Sequence, residues 1–140
     1  MRRIRKDLLD EVFEAITDIT WPPEEAEEQI VTAGLARLRA TYARQNALSQ
    51  PDPFLTEALA DFTDDPPEAV DLYRLSLAQS SRYPDEPTHT KRISLASQLV
   101  AVGDFPGARV ELIEGRAEAE RLRDTIWVAT ADELLAKLTV

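Results

Sequence analysis

Residues 91–120 read KRISLASQLVAVGDFPGARVELIEGRAEAE, and this stretch decides the fold. Leu95, Ala96, Leu99, Val100 and Val102 close an apolar pattern at helical spacing. Gly103 then fits the position just past a helix end, where the chain turns left-handed and a side chain would clash. Asp104 is a good N-cap, its carboxylate accepting from free amides of the next turn. Pro106 falls in that first turn, where its missing donor would be unpaired anyway. Ala108 is small where two helices must cross closely, and Val110, Leu112 and Ile113 follow at helical spacing. The stretch predicts two amphipathic helices joined by the tight turn Gly103-Asp104-Phe105.

Upstream, Leu8, Leu9, Val12, Phe13, Ile16 and Ile19 form one stripe and predict a helix near 6–19. Trp21-Pro22-Pro23 ends it, because a residue before proline is pushed off helical angles. A second helix near 23–47 starts among Glu24, Glu25, Glu27 and Glu28, where the helix dipole favours negative charge. Its stripe is Val31, Leu35, Leu38 and Tyr42. Ser49-Gln50-Pro51-Asp52-Pro53 is the clearest break. Asp52 caps a short helix near 53–62, and Asp65 with Glu68 caps another near 66–80. A loop at 80–87 leads to helices near 88–102 and 105–122. Residues 105–138 read either as one helix or as two with a turn near Arg121 to Asp124. Helices over about thirty residues are rare in so small a domain, which favours a last helix near 124–138. The expected fold is one all-α domain over 1–140, with about seven helices and no strand.

Leu95, Ala96, Leu99, Gly103, Asp104, Phe105, Ala108, Leu112 and Gly115 resemble the tetratricopeptide repeat (TPR), a 34-residue helix pair with small residues at its crossing. The likeness covers roughly a quarter of the chain as one good unit, with Ala69 and Tyr73 as a weaker earlier copy. Arg92 stands where an aromatic is usual, Arg116 where an aliphatic is, and Glu120 where Pro normally ends the second helix. The resemblance implies antiparallel hairpins stacked as a short TPR-like right-handed superhelix. It also implies a surface that grips a peptide or helix of another protein.

Apolar residues make up 44% of the 140, enough for a real core. Cysteine is absent, which removes disulfides, thiolate nucleophiles and sulfur-ligated metals. The start MRRIRKDLLDEVF is basic but lacks the apolar run of a signal peptide, and no segment reaches membrane-span length. A cytoplasmic location is the simple expectation. A net charge of −10 disfavours nucleic-acid phosphates as partners. It is uneven: Arg2, Arg3, Arg5 and Lys6 are basic, whereas no Lys or Arg occurs between Arg44 and Arg74. Asp52, Glu57, Asp61, Asp64, Asp65, Glu68 and Asp71 fall in that gap, as either a solvated rim or a face for a basic partner.

Catalysis finds little to work with. His89 is the only histidine and is expected to be exposed in a loop or first turn, with no second His or Cys to join it. Asp61, Asp64 and Asp65 lack the spacing of a calcium loop, so no metal is expected. Gly103 to Gly107 lacks the Lys-Ser/Thr of a phosphate-binding loop, and no cofactor is expected. Phe13, Trp21, Tyr42 and Trp127 could line a groove, though single aromatics on an apolar face are more often core. Trp21 is expected to be partly exposed, because two prolines hold it in a connection.

The leading expectation is therefore a non-catalytic protein-interaction module. Lys91, Arg92, Ser94 and Gln98 would read the partner from a first helix of a pair. Trp21, Asp61 and Asp64 are further candidates. The alternative is a small acidic inhibitor, of the immunity-protein kind, that neutralises a basic enzyme or nucleic-acid-binding protein. Self-association into a homo-oligomer fits the apolar ends of a short stack.

Overall fold

In a computed structural model the described residues are 6–48 and 52–139, and they form helices without strands. The basic run Arg2, Arg3 and Arg5 and the break at Ser49, Gln50 and Pro51 lie outside the described residues. In chain order the helices are α1 (Lys6–Thr20), α2 (Glu27–Ala47), α3 (Pro53–Asp61), α4 (Pro66–Ser80), α5 (His89–Ala101), α6 (Phe105–Arg121) and α7 (Thr125–Leu138). A short 3-10 turn, Glu24–Ala26, precedes α2, so the prolines at 22 and 23 open that turn and not the α-helix itself. Among the described residues no helix is long and apolar enough to cross a membrane.

Aspartates start four of these helices, each accepting from backbone amides that have no helical partner. Asp52 accepts from Phe54 N at 2.9 Å, Asp65 from Glu68 N at 3.3 Å, Asp104 from Gly107 N at 2.9 Å and Asp124 from Trp127 N at 3.4 Å. The chain does break between α6 and α7. After α5, Asp104 N donates to Leu99 O at 2.8 Å and Gly103 N to Val100 O at 3.0 Å. After α6, Asp124 N donates to Ala119 O at 2.8 Å and Arg123 N to Glu120 O at 3.1 Å. Both are the paired bonds of a left-handed helix cap. Gly103 takes φ 86° in the first, and Arg123 takes φ 57° in the second.

Consecutive helices pair antiparallel. Asp18 and Glu11 of α1 meet Arg37 and Arg44 of α2, the latter at 2.6 Å. That contact with Arg44 holds the Glu11 carboxyl below the ordinary carboxylate range. In the next pair Ser76 donates to Pro53 O at 2.7 Å and Thr56 to Gln79 at 2.7 Å. Thr88 and Arg92 of the α5 side meet Glu118 and Glu111 of α6. Arg116 of α6 meets Asp132 of α7 at 2.5 Å. Gly115 marks a close crossing: a Cβ there would sit 2.8 Å from Ile93 Cγ1 and 3.2 Å from Arg92 Cβ.

Buried apolar side chains gather in two clusters. Leu8, Val12, Leu38, Leu55 and Leu59 fill one, and Tyr73, Ile93, Leu95, Leu99, Ala108 and Leu112 fill the other. Leu72 packs against both. Not every residue of the apolar patterns is inside. Val110 and Ile113 are 54% and 58% exposed, so only Leu112 of that trio faces the core. Phe13 is likewise largely exposed and meets Phe54 edge-on.

Candidate partner-binding groove

Side chains of alternate helices meet in the later chain. Glu57 of α3 reaches Thr90 and Lys91 of α5, and His89 of α5 reaches Asp124 at the cap of α7. Between α5 and α7 lies a groove of about 280 Å³. Ile93, Trp127 and Leu134 give it an apolar floor. Ser94, Ser97, Thr130, Glu133 and Lys137 form its rim. Helical spacing explains the set: residues 94 and 97 share one face of α5, and 127, 130, 134 and 137 share one face of α7.

Ser94 also links the groove to α3. Its hydroxyl lies beside that of Tyr73, which donates to Asp61 Oδ1 at 2.5 Å. Tyr73 is buried, and that burial pushes its hydroxyl above the usual tyrosine range. Partial removal from water pushes the Asp61 carboxyl up to about 6, although the residue as a whole remains exposed. The Tyr73 hydroxyl pulls it back down and the Glu57 charge adds to the rise.

Lys91 corrects the sequence reading. It is no surface reader: its side chain is 2% exposed. Nζ donates to Glu57 at 2.9 Å, Glu86 at 3.1 Å and the Pro87 carbonyl at 3.1 Å. Burying an ammonium is costly unless it is paired and hydrogen-bonded, and this cage supplies three acceptors. Arg92 is partly exposed and already paired. Its guanidinium braces α5 against α6 through Glu111 at 2.9 Å and Glu114 at 3.0 Å.

His89, expected in the open, is 5% exposed at its side chain. Nε2 lies 2.8 Å from Asp124 Oδ2, and Nδ1 lies 3.3 Å from Glu118 Oε2 without hydrogen-bond geometry. The ring stands edge-on to Trp127, with centroids 6.4 Å apart. Both ring nitrogens face carboxylates. The cluster thus ties together the start of α5, the end of α6 and the cap of α7.

Of the other sequence candidates, Ser94 lines the groove and Gln98 sits one turn further along α5, half-buried. Trp21 is 75% exposed at the end of α1, and Asp64 is exposed after α3. The contacts above link Asp61 to the groove through Tyr73 and Ser94, and they do not extend to Trp21 or Asp64. Thr130, Glu133, Leu134 and Lys137 join the groove without any motif in the sequence that marks them as binding residues. The 127, 130, 134, 137 spacing on the last helix was the available signal. Among the described residues no group of three or more His, Asp or Glu side chains could hold a metal ion. No family model, curated protein or solved structure matches the chain.

Proposed function

We propose that this chain is a non-catalytic protein-interaction module of TPR-like build, which holds a peptide or helix of a partner in the α5–α7 groove. The groove itself carries the reading: an apolar floor of Ile93, Trp127 and Leu134 inside a polar rim. Recognition sites commonly combine such a floor with a few placed polar groups. Contacts between alternate helices support the repeat likeness. Glu57 with Lys91 and His89 with Asp124 are 34 and 35 residues apart, near the 34 of that repeat.

Ser97 is exposed and lines the groove without belonging to the core, so Ser97→Arg fills the groove and leaves the fold intact. Random peptides displayed on phage and selected on the native chain should lose binding to Ser97→Arg, at unchanged melting temperature. Selected peptides that bind both forms equally would overturn the groove as the site.

A further inference from the structure

We infer that the occupant of this groove is a peptide segment with an apolar anchor and, about three residues away, a lysine or arginine that pairs with Asp61; this rests on the binding reading above. The apolar floor accounts for the anchor. The cation follows from what surrounds Asp61. Its carboxylate takes a hydrogen bond from Tyr73, and no described Lys, Arg or His forms an ion pair with it. Lys91, the ammonium that lowers its proton affinity, is already held by Glu57, Glu86 and the Pro87 carbonyl.

Negative charge therefore exceeds positive charge here, since one ammonium faces Glu57, Glu86 and Asp61. Glu57 stands one turn before Asp61 on α3 and raises the proton affinity of Asp61. Asp64 and Asp65 follow, both exposed, in a chain of net charge −10. The opposite rim differs: Lys137 has its own partner in Glu133 at 4.0 Å. A carboxylate on the incoming segment would meet Asp61 and Glu57, whereas a cation takes the place a proton occupies in mildly acidic solution. Complementary charge of this kind selects partners as much as it tightens them.

The spacing is geometric. α3 meets α5 through side chains, Glu57 to Lys91 and Asp61 by way of Tyr73 toward Ser94, so a segment anchored between α5 and α7 must cross about one helix spacing, roughly 8–10 Å, to reach Asp61. An extended chain covers about 3.3–3.6 Å per residue, which gives about three residues.

The test uses 12-residue random peptides displayed on phage and sorted on the full chain at pH 7.5. We expect an aliphatic or aromatic residue with Lys or Arg about three positions away. Replacing that Lys or Arg by Gln in the synthetic peptide should weaken binding to the native chain about tenfold or more. Asp61→Asn should weaken the parent peptide similarly and make the Gln exchange neutral. The peptide-side exchange stands even if the protein variant folds poorly. Peptides that need an open groove, being lost on Ser97→Arg, yet carry no cation or ignore its removal would overturn this inference and leave the groove. Peptides indifferent to Ser97→Arg would overturn both.

Discussion

Arg123 occupies, in the turn between α6 and α7, the place that Gly103 occupies between α5 and α6. The flanking bonds match, and both residues are left-handed, at φ 57° and φ 86°. Asp104 and Asp124 follow with nearly equal angles, φ −88° and ψ 75° against φ −87° and ψ 82°. One turn is built on the residue that adopts this conformation freely, the other on one that does not.

Arg123→Gly should therefore stabilise the chain by roughly 1 kcal/mol, the usual cost of a left-handed side-chain residue. Gly103→Ala should lose a similar amount, since nothing near Gly103 clashes and only the backbone angle objects. Urea unfolding measures both. A destabilised Arg123→Gly would mean that the arginine side chain itself holds the turn.

Lys91→Ala should cost about 3–5 kcal/mol, because Glu57 and Glu86 would be left facing each other with little solvent. The double change Lys91→Met with Glu57→Gln should cost less than Lys91→Ala alone. Denaturant midpoints at constant slope decide this. A loss under about 1 kcal/mol for Lys91→Ala would show that water reaches the cage freely.

His89→Ala should loosen α7 ahead of the rest, since the ring joins α5 to Glu118, Asp124 and Trp127. A loss of about 2–3 kcal/mol is expected for a buried hydrogen bond to a carboxylate. In a Trp21→Phe background the remaining Trp127 reports on α7. Its emission should shift red below the temperature at which helix content falls. Coincident transitions would show α7 bound as tightly as before.

Asp61 sets a pH dependence whose sign is unusual for a carboxylate. Its pKa is about 6 folded against 3.8 in the reference state. Between those values the folded chain keeps a proton that the unfolded chain has lost, so stability contributed here falls as pH rises through that window. Asp61→Asn retains an acceptor for Tyr73 and removes the charge. Its melting temperature should match the native chain near pH 4 and exceed it by about 2–4 °C at pH 7.5. The exposed edge of Asp61 keeps the effect small. A variant that melts lower at pH 7.5 would refute the assignment.

Helix positions were legible in the sequence because their ends are written in local chemistry. Asp52, Asp65 and Asp104 cap where their spacing says, and Pro53, Pro66 and Pro106 open the same helices. The α6–α7 turn was harder, since Arg123 does a job that usually announces itself as glycine. Exposure was harder still. Periodicity shows that Val110, Leu112 and Ile113 share a helix, but which of them faces a neighbour depends on where α5 and α7 sit. Lys91, Arg92 and His89 look like solvent residues when read alone. Their partners Glu57, Glu86, Glu111, Glu118 and Asp124 lie on other helices or a loop, and no local pattern connects them. Ser94 could be placed on a first helix, yet the α7 half of the groove needed the packed structure.

Leu72 is the single described side chain common to both apolar clusters, and that narrow junction governs how the molecule comes apart. The α1–α2 pair draws its shelter from the first cluster, so it can detach while the α5–α6 hairpin stays shut. Slow amide exchange should then sort the backbone into an early-opening amino-terminal unit and a persistent carboxyl-terminal one, with α3 and α4 as the hinge between two cooperative blocks.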